Sequence, residues 1–253
     1  MKSYLIVVLA FTSLLCITAR ASEFDKPWLD ENTSIVLDPY HGNKTPNWTE
    51  LAKDKKVVGI IHKATEGNGT DSAYAARRLE ALNRNYLWGS YHLLTTSDVE
   101  AQIKHYIKVA GENGNEAYAI DVECLSGDTN CQSESYEVSY ESIEAALREF
   151  KKKTQRLPLI YTNGSVGERL AKRFEDNPEF AGLKLWYARV RSKLDMFPIG
   201  QWKTYTLWQF SYEDNCFPRP GTCPYRVPGI SPDIDVNVYF GSPAQLRRAW
   251  PLN

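Results

Sequence analysis

The run Ala119-Ile120-Asp121-Val122-Glu123 places two carboxylates two residues apart within a stretch of strand-like composition. A period of two puts Asp121 and Glu123 on one face and Val122 on the other. Two acids packed side by side cannot both ionise freely, so one holds a proton near neutrality. An acid beside a carboxylate suits glycosidic cleavage, in which the leaving oxygen is protonated and negative charge is needed beside an oxocarbenium-like centre. Taken alone the spacing is common, and a solvated acidic strand end is the plainer reading. Asp38 closes the apolar run Ser34-Ile35-Val36-Leu37, and Asp233-Ile234-Asp235 repeats the period-two acids near the C-terminus. Asp235 is placed beside Asp38 if the last strand closes on the first.

Other side chains could serve such a site. Ile60 to Glu66 carries His62, Lys63 and Glu66, which read either as an internal ion pair or as substrate contacts. Tyr91 and Tyr161 offer hydroxyls, Gln209 an amide, and Trp186 and Trp208 flat apolar faces for stacking on sugar C–H surfaces. His92 reads as a structural histidine. There is no G-x-S-x-G elbow and no H-E-x-x-H pair, so chemistry by acids remains, with no metal and no cofactor expected.

Eight β-rich runs must position these groups: 34–38, 57–63, 87–91, 117–123, 159–161, 185–188, 204–210 and 234–239. Segments 71–83, 98–110, 140–153 and 165–174 between the early ones repeat apolar residues at three and four, as helices do. Alternating strand and helix implies a parallel sheet. After Ala188 the connections turn rich in Pro, Gly and aromatics, with only 243–250 helix-like. One α/β barrel of irregular TIM-like form, its last three strands lacking regular helices, fits better than two domains. An open doubly wound sheet would need a Gly-rich phosphate loop after its first strand, and Asp38-Pro39-Tyr40-His41-Gly42 does not supply one. In such a barrel the C-terminal strand ends form the active face, and the acids and aromatics fall there.

The first 21 residues, an apolar run ending in Ala19-Arg20-Ala21, read as a signal peptide, leaving 22–253 as one catalytic domain. The product is then secreted or otherwise extracytoplasmic, with no stable membrane insertion once the signal is gone. Without Lys2 and Arg20, 28 basic side chains face 31 acidic ones, about −3, which argues against capture of nucleic acid. Four cysteines remain. Their spacing favours the local pairs Cys124–Cys131 and Cys216–Cys223 over a zinc site.

Taken in order, Asp38, Ile61-His-Lys-Ala-Thr-Glu-Gly67, Gly89-Ser-Tyr-His92, Asp121-Val-Glu123, Ile160-Tyr-Thr-Asn163, Leu185-Trp-Tyr-Ala188, Leu207-Trp-Gln209 and Asp235-Val-Asn237 resemble the glycoside hydrolase family 25 lysozymes, the Chalaropsis-type N-acetylmuramidases. The resemblance implies an irregular β/α barrel that cuts the β-1,4 bond from N-acetylmuramic acid to N-acetylglucosamine in peptidoglycan strands. It also implies Glu123 as the acid, Asp121, Asp38 and Asp235 as supporting carboxylates, and Tyr161 as a hydroxyl lining the cleaving subsite. A monomer is expected. Pro39-Tyr40-His41-Gly42 departs from the serine and glutamine that the family often has there, which gives His41 a different relation to substrate. Both cysteine loops would rim the cleft. The competing readings are a barrel that only binds glycans and a hydrolase of another N-acetylated polysaccharide such as chitin.

Overall fold

The computed structural model describes residues 26–127, 131, 133–191, 194, 197–198, 200–212, 225–232 and 234–253. Its strands are β1 (Ser34–Leu37), β2 (Val57–Glu66), β3 (Gly69–Thr70), β4 (Leu87–Leu93), β5 (Ala117–Val122), β6 (Cys124–Leu125), β7 (Glu137–Val138), β8 (Leu159–Asn163), β9 (Lys184–Ala188), β10 (Leu207–Ser211) and β11 (Val236–Tyr239). The helices are α1 (Trp48–Leu51), α2 (Tyr74–Asn83), α3 (Val99–Ala110), α4 (Tyr140–Thr154), α5 (Gly164–Phe174) and α6 (Pro243–Ala249). Every strand and long helix read from the pattern is present, with boundaries shifted by a few residues. The candidate signal segment lies outside the described residues. Among those described, no helix is long and apolar enough to cross a membrane.

Strands β1, β11, β10, β9, β8, β5, β4 and β2 follow one another around a closed barrel, and β1 pairs with β2 to complete it. The expectation of an all-parallel sheet needs one correction, because β11 is antiparallel to both β1 and β10. Its start therefore lies at the same end of the barrel as the C-terminal ends of the other strands. Both connections among the last three strands, β9 to β10 and β10 to β11, lack a regular helix among the described residues, and α6 follows β11.

The alternation of side chains divides the core in two. Val36, Ala117, Ala119, Leu159, Trp186 and Leu207 fill the barrel interior. Their sequence neighbours Ile35, Tyr118, Ile120, Ile160, Leu185 and Trp208 face outward, packing with Ile103, Leu147, Phe150, Leu170 and Phe174 of the helices. Small residues keep the barrel narrow near β5. A Cβ on Gly89 would stand 2.9 Å from the Ala117 Cβ, inside van der Waals contact. The helices begin at side-chain caps. Asp98 accepts from the Ala101 amide, Ser139 from Ser142 and Asn163 from Val166, while Ser242 and Gln245 form a capping box.

Candidate active site

Inward parity continues past Ala117 and Ala119 to Asp121 and then Glu123, so the strand that packs small residues inside the barrel delivers two acids at its mouth. Asp121 is only 4% exposed, and its Oδ1 has no hydrogen-bond partner among the described residues. Burial pushes its carboxyl well above the usual range, and the charge of Glu123 pushes it further. Glu123 stands partly open to the cleft. Burial raises its carboxyl too, against the opposing charge of Lys63. Asn163 Nδ2 donates to the Glu123 carbonyl at 2.8 Å, which fixes the backbone of the acid from the next strand.

The register Leu37↔Val236 sets Asp38 against Asp235, and the Asp38 amide donates to the Asp235 carbonyl at 3.4 Å. The amide nitrogen of Gln209 donates to Asp235 Oδ2 at 2.7 Å and to Asp38 Oδ2 at 3.5 Å, while its oxygen accepts from the Tyr161 hydroxyl at 2.6 Å. Asn237 donates to Asp38 Oδ1 at 2.7 Å and to the Val36 carbonyl at 3.0 Å, and accepts from Trp186 Nε1 at 2.5 Å. A network thus joins strands β8, β10, β11, β1 and β9. Burial and the neighbouring Asp235 raise the Asp38 carboxyl well above its ordinary value, with the Asn237 hydrogen bond working against them. The Tyr91 and Tyr161 phenols are both pushed up, first by burial and then by surrounding carboxylates.

Three of the expected substrate contacts are placed differently. Trp208 is fully buried on the outer face, in the helix layer, with its indole N–H donated to the Arg189 carbonyl. Neighbours on a strand face opposite ways, so Trp208 and Gln209 could not both line the cleft. Trp186 does point inward but is 1% exposed, capped edge-on by Tyr91 and Tyr161 with centroids 6.1 and 5.0 Å away. It forms a floor beneath the tyrosines, with no face free for a sugar. Gln209 is 3% exposed and spends both amide hydrogens on carboxylates, so it braces the site from below.

Lys63 lies at the mouth as expected, but its ammonium donates to Glu66 Oε2 at 2.9 Å and sits over the Tyr40 ring. His92 is buried, bonded through Nδ1 to Thr65, and burial lowers it to about 3. His41 projects partly into solvent and is bonded through Nδ1 to the buried Asp71 carboxylate at 2.9 Å. With Lys63, Glu66, Gly69, Thr70 and Asp71 it lines a side recess of about 290 Å³. Cys124 and Cys131 are bridged, whereas Cys216, Cys223 and Asp233 lie outside the described residues. Asn163 and Asn237 stand in the family signatures without a stated role, and period two puts them on the faces of Tyr161 and Asp235; nothing local marks Tyr136.

The raised carboxyls carry a stability consequence. A group whose folded-state value lies above its unfolded one contributes stability below the unfolded value and loses it as pH rises through the folded value. Asp121 therefore weakens the fold at neutral pH. Asp121→Asn is expected to gain about 1–2 kcal/mol at pH 7, or about 2–8 °C in Tm, at the expense of activity. Melting curves at pH 7 and at pH 3 check this: the gain should shrink at pH 3, where the wild-type acid is also neutral, and an equal gain at both would refute the charge explanation.

A closed β/α barrel with a cluster of buried acids at one mouth has the groups that acid-assisted glycoside hydrolysis requires. Residues 37–216 match the model of glycosyl hydrolases family 25, and the chain belongs to that family. Lysozyme M1 of Streptomyces globisporus is 26% identical over 217 residues, covering 83% of this chain and 69% of that protein. The fold is similar to a bacterial lysozyme from Streptomyces coelicolor at 22% identity and a TM-score of 0.66, covering 86% of this chain and 97% of the other. A family 25 lysozyme from Aspergillus fumigatus superposes with a TM-score of 0.64 at 25% identity, over 85% and 98% of the two chains.

Proposed function

We propose that the chain is a secreted N-acetylmuramidase that hydrolyses the β-1,4 bond between N-acetylmuramic acid and N-acetylglucosamine in peptidoglycan. The observation that carries the reading is the Asp121–Glu123 pair, two acids whose carboxyls are raised by burial at the mouth of a family 25 barrel. Lysozyme M1 is named for this class of activity, and a muramidase from Acremonium alcalophilum shares the fold. The Cys124–Cys131 bridge and the apolar N-terminal run support export.

Glu123 is the better placed acid because it is the member of the pair open to the cleft, where the leaving oxygen arrives. Asp121, deeper and next to it, lies below the anomeric carbon, where developing positive charge favours its ionised form against the burial that raises it. Asp38 and Asp235, held by Gln209 and Asn237, keep the floor polar and rigid. The Tyr161 hydroxyl, its proton committed to Gln209, presents lone pairs to substrate donors.

Incubating the purified protein with peptidoglycan and identifying the new reducing ends tests the assignment. Reducing N-acetylmuramic acid is expected. Reducing N-acetylglucosamine alone, cleavage confined to chitin, or binding without any product would each overturn it.

A further inference from the structure

The loop that follows Glu123 is built into the site. Strand β6 starts at the next residue and pairs in parallel with β7, Cys124 lying opposite Glu137. The Ser126 amide and hydroxyl donate to the Val138 and Glu137 carbonyls, and the Thr96 amide donates to the Ser135 carbonyl. The Cys124–Cys131 bridge closes the first part of this excursion. Tyr136, one residue before β7, is thereby returned to the cleft, where its hydroxyl donates to Glu66 Oε1 at 2.8 Å. The other oxygen of Glu66 accepts from Lys63 at 2.9 Å. Glu66 is a clamp with the loop on one oxygen and the barrel on the other.

Lys63 is 13% exposed, and its positive charge opposes the effect of burial on both Asp121 and Glu123. The same two acids also raise the Tyr136 phenol, after the larger effect of its bond to Glu66. We propose that Tyr136 is a positioning residue for the hydrolysis: through Glu66 it holds the Lys63 ammonium beside the Asp121–Glu123 pair, and the Cys124–Cys131 bridge shapes the loop that carries it. This rests on reading that pair as the catalytic centre.

The sign of the effect follows from the groups that face the pair. Asp38 and Asp235 approach from the first and last strands, Glu66 and Lys63 from β2, Tyr91 from β4, Tyr161 from β8 and Tyr136 from the loop, with His41 next to Glu66. In this predominantly acidic ring Lys63 lowers both members of the pair. Without the tyrosine hydroxyl, Glu66 keeps one anchor, the ammonium loses its fixed position, and the carboxyls shift upward.

Carbon-13 NMR of the Asp121 and Glu123 carboxyls in the whole protein, titrated against pH, reads this whether or not the substrate assignment holds. Tyr136→Phe should raise the midpoints by about half a pH unit, and Lys63→Met should move them the same way by about one unit. Glu66→Gln can keep Lys63 on its amide oxygen, with its amide nitrogen now donating to the Tyr136 oxygen, while a negative charge is removed, so it should lower them. The acid limb of kcat/KM on peptidoglycan should move with the midpoints. Replacing Cys124 and Cys131 together by serine should reproduce the Tyr136→Phe shift and add nothing to that variant. Midpoints unchanged in Tyr136→Phe, or moved downward, would overturn the proposal even if its Tm fell. An inactive wild type with these shifts present would refute the substrate reading alone.

Discussion

Glu123→Gln is expected to lower turnover of peptidoglycan by about 100- to 10,000-fold, the range for losing a positioned general acid. The substitution keeps shape and hydrogen-bonding capacity but removes the proton the leaving oxygen needs. The fold should survive it. The hydrogen bond from Asn163 goes to the main-chain carbonyl of Glu123, which the substitution leaves in place. Loss of a charge beside Asp121 also removes a repulsion that burial makes costly. Reducing-end release at the pH optimum and a melting curve of the same preparation check both parts. Activity within tenfold of wild type would mean that another group protonates the leaving oxygen.

Asn237→Ala should be the most destabilising single change at the site. The side chain is fully buried and joins the Trp186 indole, the Val36 carbonyl and Asp38 Oδ1. Truncation leaves two of these groups and a buried carboxylate without that partner, costing about 3 kcal/mol. In a chain of this size that is a fall of about 6–12 °C in Tm. Because the Asn237 hydrogen bond opposes the effect of burial on Asp38, the carboxyl of Asp38 should also move up. The loss should therefore grow as pH rises through the raised folded-state value of Asp38, since the wild type better tolerates the charged form there. Thermal melts on both sides of that value decide it, and a pH-independent loss would point to packing alone.

The catalytic candidates were legible because strand geometry is local. Asp121 and Glu123 share a face for the same reason that Ala117 and Ala119 do, and no tertiary information is needed to see it. The number and chain order of the eight barrel strands were legible from local patterning, which helix and strand impose on any half-buried segment, whereas the two-residue strands β3, β6 and β7 are too short to leave such a pattern. The same parity rule, applied to β10, would have excluded Trp208, for its neighbour Gln209 already occupies the inward face. Exposure was harder. Trp186 faces inward, yet only the edge-on packing of Tyr91 and Tyr161 above it shows that it is floor and not platform.

Strand direction belongs to the second class. An antiparallel last strand has the same alternation as a parallel one, so the pattern that located β11 was blind to its orientation. That orientation is why Asp235, at the beginning of its strand, meets Asp38 at the end of another.

The amino-acid sequence by itself determined the elements, the inward set of acids and the family signature, since all three depend on residue types at short, regular spacings. Tertiary structure alone decided how the polar groups pair. Gln209 spans β8, β11 and β1, Asn237 ties β1 to β9, and Tyr136 reaches Glu66 across 70 residues of chain. Such partners are selected by closure of the barrel and by the path of one loop, and neither leaves a periodic trace along the chain. What a buried carboxylate does depends on those partners, because in a dry site the energy of a charge is set by the few groups it touches.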